Sequence, residues 1–95
     1  MSIKTFAHKG LREVFCNGRS RRIATDAIKR IGLILDAIDG ATCVGDLQGA
    51  HGFHALKGDR KGTYAITVTG NWRLTFRFEH GDRGDVLDVD YEDYH

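Results

Sequence analysis

Proline is absent from this chain of 95 residues, and its 12 glycines are scattered singly, so no stretch reads as a linker, a repeat or a low-complexity segment. Cysteine is scarce. Cys16 and Cys43 stand far apart with no second cysteine beside either, which excludes a thioredoxin-type pair and a zinc knuckle. Two free thiols in a reducing compartment is the simpler reading. No apolar run approaches membrane-spanning length, and Met1 to Phe6 carries a single charge and no apolar core, unlike a signal peptide. A cytoplasmic location with no membrane partner is expected. A charge excess of one sign is also lacking: the formal net charge is +1 at pH 7, which by itself argues against a protein that coats nucleic acid non-specifically.

What is present is an uneven distribution of that charge. Acidic residues gather late, at Asp82, Asp85, Asp88, Asp90, Glu92 and Asp93. Basic residues cluster at Arg19-Ser20-Arg21-Arg22, between Lys57 and Lys61, and at Arg73 with Arg77. A neutral total can therefore conceal a basic surface facing a phosphate chain, although a solvated charged face gives the same pattern.

The length suits one domain, residues 1–95, burying roughly 60 to 65 per cent of its unfolded surface. The first half reads helical. Leu11, Val14 and Phe15 recur at spacings of three and four over Lys9 to Cys16, and Asn17-Gly18 supplies a stop. Ala24, Ala27, Ile28, Ile31, Ile34, Leu35 and Ile38 predict an amphipathic helix ending near Gly40. From Phe53 onward the period falls to two. Tyr64, Ile66 and Val68 alternate with polar or small residues, then Thr69-Gly70-Asn71 turns the chain into Trp72, Leu74, Phe76 and Phe78, a hairpin. The turn His80-Gly81-Asp82-Arg83-Gly84 leads to a third strand over Val86 to Val89, and Phe53 to Leu56 and Ile3 to Phe6 are candidate edges. The predicted class is α+β: an N-terminal strand and two helices packed on one face of an antiparallel β-sheet.

This alternation has a functional corollary. With Trp72, Leu74, Phe76 and Phe78 turned to the helices, Arg73, Thr75 and Arg77 occupy the opposite face, the two arginines about 13 Å apart. One packed face and one open cationic face would suit a nucleic-acid strand.

At residue level, the run from His54 through Leu56-Lys57-Gly58-Asp59-Arg60, then Tyr64 to Val68, then Asn71-Trp72-Arg73-Leu74-Thr75-Phe76, and finally Asp90-Tyr91-Glu92-Asp93-Tyr94-His95, resembles the HigB-type toxins of the RelE superfamily. The resemblance extends over essentially the whole chain. It implies a RelE-like fold and a ribosome-dependent endoribonuclease toxin of a type II toxin-antitoxin system that cuts translated messenger RNA. It also implies a HigA-type antitoxin with a helix-turn-helix domain, through which alone the toxin would reach operator DNA. By motif match the functional positions fall on His54, Lys57, Arg73, Asp93, Tyr94 and His95. The turn before Asn71 departs from some relatives, with Thr69-Gly70 where they place a basic residue.

The residue types suit that chemistry. Metal-free RNA cleavage needs a base for the 2′-hydroxyl proton, cations for the growing negative charge on phosphate, and an acid for the leaving 5′-oxygen. His54 and His95 are the proton-transfer candidates, with His95 favoured as base and the reverse left open. Lys57 and Arg73 would hold the phosphate, Arg73 through two oxygens at once. Asp93 would orient or raise the pKa of a neighbouring histidine, and Tyr94 would stack on a base or donate a hydrogen bond. Arg60, Lys61 and Arg77 are expected as further RNA contacts. Neither metal nor cofactor is expected, since His51 and His54 lack a further ligand of suitable spacing.

Each assignment has an ordinary competitor: surface histidines, a solvated sheet face, a partly buried tyrosine, a frayed end. Arg19, Arg21 and Arg22 fit contact with ribosomal RNA, pairing with an antitoxin, or simple solvation equally well. The competing functional readings are a non-catalytic RNA- and antitoxin-binding module serving as the regulatory subunit of an operon-repressing complex, and an inactive toxin relative that binds only its antitoxin.

Overall fold

His8 starts the first helix. Its Nδ1 accepts from the amides of Gly10 and Leu11 at 3.0 and 3.4 Å, satisfying first-turn donors that have no partner within the helix. The computed structural model, which describes residues 3–50 and 52–93, places this helix, α1, at Lys9–Asn17. Gly18 ends it at φ +81°, donating its N–H to the Val14 carbonyl at 2.8 Å, a left-handed conformation that glycine adopts without a Cβ penalty.

The second helix, α2, spans Thr25–Gly40 and buries Ala27, Ile31, Ile34, Leu35 and Ile38. Ala24, expected on that stripe, is instead the exposed residue before the first turn, and Ile28 is only half-buried. The chain then passes through a short 3-10 turn at Val44–Leu47 into the sheet. Four strands follow in a meander: β1 at Phe53–Ala55, β2 at Tyr64–Thr67, β3 at Trp72–Phe78 and β4 at Val86–Asp93, each antiparallel to its sequence neighbour. Leu11 and Val14 from α1, the buried stripe of α2, and Ile66, Leu74, Phe76, Phe78, Val86 and Val89 from the sheet form one core. Fully burying each such aliphatic or aromatic side chain contributes about 1.5–3 kcal/mol before cavity terms.

Three expectations are corrected. β4 does not stop near Val89 but continues to Asp93. The alternation is broken at Asp88, whose φ of +56° inserts one extra residue opposite β3, so Val86 and Val89 both point inward although they are three apart. Trp72 does not pack under the helices; it is 38% exposed and stacks on Tyr91, ring centroids 4.6 Å apart. Finally, the Ile3 to Phe6 segment is not a continuous strand. It runs parallel to the outer edge of β4 through two isolated bridges, Ile3 to Val86 and Phe6 to Val89. Between them the Asp88 amide donates to the Thr5 hydroxyl at 2.8 Å rather than to a backbone carbonyl.

Candidate active site

The site is built on the sheet face that the helices leave uncovered. Directly opposed residues in antiparallel strands share a face. The register therefore lays His54, Ala65, Thr75 and Asp90 in one row across the four strands, and Thr67, Arg73 and Glu92 in the next. His54 and Arg73 are thereby on the same face, their backbones about 12 Å apart from strand spacing and rise. Between them lie the short side chains of Ala65 and Thr75, both buried.

His54 is half-buried, with Nδ1 3.1 Å from the carbonyl of Gly52. A proton on Nδ1 donates to that carbonyl and leaves the Nε2 lone pair available to accept another. Gly52 presents the carbonyl from φ +79°, where an added Cβ would lie 2.9 Å from the Thr67 Cβ. Conformation and close approach both call for glycine there.

Glu92 forms the other side of the site. Its two oxygens receive the Arg60 guanidinium as a fork at 2.7 and 2.6 Å. The Thr75 hydroxyl donates to Oε2 at 2.7 Å, and Arg73 Nη2 lies 3.5 Å from Oε1. Hydrogen bonds from Arg60 dominate in holding the Glu92 carboxyl down at about 2 instead of 4.5, against the opposing effect of burial, with further help from Thr75 and from the charges of Arg60 and Arg73. The same contact raises Arg60 above its ordinary value. Arg60 belongs to the 3-10 turn Gly58–Arg60 between β1 and β2, so this contact ties the β1–β2 connection to β4. Arg73 is nearly enclosed, its side chain 14% exposed.

The remaining expected residues are distributed around this centre. Lys57 enters the Gly58–Arg60 turn and Lys61 leaves it; both are exposed and line a groove with Leu56, Tyr64 and His80 at the edge of the sheet. Arg77 sits farther along β3, paired with Asp88 at 2.6 Å. Asp93 is opposite Trp72 in the ladder, one position on from Glu92, so it is Glu92 and not Asp93 that faces Arg73. Tyr94, His95 and His51 lie outside the described residues. Arg22 pairs with Glu13 at 3.7 Å, and Arg19 and Arg21 line a groove at the α1–α2 connection. Among the described residues no three or more histidine, cysteine or acidic side chains converge as a metal site, and no helix is long and apolar enough to cross a membrane. Cys16 and Cys43 are both free thiols.

Comparison with known proteins places the chain in a family. The family model described as the RelE-like toxin of type II toxin-antitoxin system HigB matches residues 4–95. The chain belongs to the HigB family of toxins. Endoribonuclease HigB of Proteus vulgaris is 45% identical to it over 94 residues, which cover 98% of this chain and 99% of that protein. The two-helix layer on a four-stranded antiparallel sheet is consistent with the RelE-like fold of HigB toxins, and membership of a toxin-antitoxin family implies an antitoxin partner.

Glu92 is the functional-face residue that sequence reasoning missed. A signal for it existed: carried on through Asp93 with one bulge, the β4 alternation sets an acidic residue directly across from Arg73, a favourable cross-strand pair.

Proposed function

We propose that this HigB-family chain is a metal-independent, ribosome-dependent messenger-RNA endoribonuclease that inhibits translation. The observation that carries the reading is the register that sets His54 and Arg73 on one face of the sheet, with Ala65 and Thr75 between them. The relative that is 45% identical is itself named an endoribonuclease.

In the reaction, the 2′-oxygen of one nucleotide attacks the adjoining phosphorus while the bond to the 5′-oxygen of the next nucleotide breaks. A base removes the 2′-hydroxyl proton and an acid delivers a proton to the departing 5′-oxygen, giving a 2′,3′-cyclic phosphate and a 5′-hydroxyl end. His54 and His95 carry those two protons, His95 as base in the favoured order. Arg73 and Lys57 stabilise the charge on the non-bridging oxygens. Asp93 and Tyr94 support His95 and the substrate base, and Arg60, Lys61 and Arg77 supply flanking RNA contacts. Arg60 and Arg77 already hold Glu92 and Asp88 respectively, so RNA would compete with or share those partners.

The partners in this reading are the ribosome with its message and a HigA-type helix-turn-helix antitoxin, which alone connects the toxin to operator DNA. Such a substrate places the protein in the cytoplasm. Purified chain added to translating ribosomes tests the activity: fragments ending in 2′,3′-cyclic phosphate are expected, and intact message at high protein concentration would overturn the reading.

A further inference from the structure

We propose that Glu92 is a positioning residue of the active site, a single carboxylate that fixes Arg73 and the Lys57-bearing loop in one working geometry. The inference rests on the endoribonuclease reading and names a residue for it. Glu92 joins three separate pieces of the site. It faces Arg73 in the β3–β4 ladder, takes the Thr75 hydroxyl at 2.7 Å, and takes the Arg60 fork at 2.7 and 2.6 Å from the turn that Lys57 opens. Arg60 lies three residues after Lys57, so anchoring its guanidinium on β4 restrains the loop at its far end. Glu92 also immediately precedes Asp93, so the same contacts restrain the start of the terminal segment.

Proton transfer by Glu92 itself is disfavoured on physical grounds. Both oxygens already accept from Arg60, and a carboxyl held at about 2 stays ionised throughout the neutral range. It has no proton to give and is a weak base where translation occurs. Its charge, moreover, opposes a polyanionic substrate. A carboxylate beside two arginines lowers the attraction for RNA, so its presence on this face calls for a benefit other than binding. Orientation is that benefit: the bidentate pair with Arg60 fixes the plane of that guanidinium and so the loop that carries it, while the single contact at 3.5 Å restrains Arg73.

The two effects act in opposite directions on measurable constants. Removing the negative charge strengthens or preserves substrate attraction, while loosening Arg73 and the loop slows the chemical step. Glu92→Gln is therefore expected to lower kcat on translating ribosomes by on the order of 10- to 100-fold, the usual consequence of a small displacement of positioned groups, with KM unchanged or reduced. Thr75→Val, which keeps side-chain shape and deletes one donor, is expected to lower kcat in the same direction but less. The double variant is expected to be no worse than Glu92→Gln alone, because both changes break one network.

Circular dichroism at the assay temperature accompanies each rate to give the folded fraction. A kcat for Glu92→Gln within twofold of the unmodified chain overturns the proposal, as does a fall that merely tracks the folded fraction in both variants. Full additivity of the two substitutions overturns it too. An unmodified chain that cleaves no message removes the endoribonuclease reading and this proposal together, whereas an active chain with an indifferent Glu92→Gln variant removes the proposal alone.

Discussion

Arg73 stands directly opposite Glu92 in the β3–β4 ladder, its Nη2 3.5 Å from Oε1, on the face of the sheet away from the helices. The pair is enclosed, with side chains 14% and 22% exposed. The cation expected to meet the scissile phosphate is thus held by a carboxylate of the neighbouring strand before any substrate arrives.

The first consequence is a pH dependence of stability. Glu92 titrates at about 2 in the folded chain against an ordinary 4.5. Because the folded value is the lower one, the stabilisation is complete above about pH 4.5 and is lost as pH falls towards 2. The shift sets a ceiling of about 3 kcal/mol, and solvent around Arg60 reduces the realised amount to ~1–2 kcal/mol. Urea unfolding at a series of pH values should show the unmodified chain losing more stability than Glu92→Gln over that acid window. Parallel curves would show that Glu92 contributes nothing.

Gly52→Ala should injure both fold and site. The substitution meets strain at φ +79° and a 2.9 Å approach to Thr67 Cβ, together costing about 1–3 kcal/mol. The carbonyl that holds His54 Nδ1 would shift with it. Chemical denaturation should give the destabilisation, and cleavage should fall by more than the loss of folded protein.

Ile31 lies in the middle of the buried stripe of α2 and is completely enclosed. Ile31→Ala should cost about 2–5 kcal/mol as lost transfer energy plus cavity. In a domain of this size that is a large share of total stability. A lowered melting temperature with the catalytic rate per folded molecule unchanged is expected, since Ile31 belongs to the layer behind the sheet.

The two helices and the β2–β3 hairpin were legible because each buries one face, and burial imposes a period on the sequence. The face away from the helices was legible for the same reason: alternation along β3 put Arg73, Thr75 and Arg77 together. The end of β4 was not. The positive φ at Asp88 shifts the alternation by one residue, so Val86 and Val89 read as the close of a strand rather than as two sides of a bulge. With β4 cut short, Glu92 looked like one more acid in a charged tail. Trp72 was misplaced because the period shows which face a residue takes but not where the helix layer ends. His54, Lys57 and the terminal residues carry no periodic signal, and their selection came from the resemblance to the HigB family.

The described ladder ends at Asp93, paired with Trp72, and Tyr94 and His95 are expected to act on the substrate. Deleting Tyr94 and His95 should therefore abolish cleavage while leaving the melting temperature and antitoxin binding largely intact. A deletion that unfolds the chain would assign those residues a structural role instead.

The most direct test concerns His54 and Arg73 acting on one phosphate. Single-turnover cleavage on translating ribosomes should be measured for His54→Gln, Arg73→Ala and the double variant. Each single change is expected to slow the reaction on the order of 100-fold or more, and the double should fall by less than the product of the two, as for groups serving one transition state. Near-normal cleavage by the double variant would contradict a site centred on these two residues.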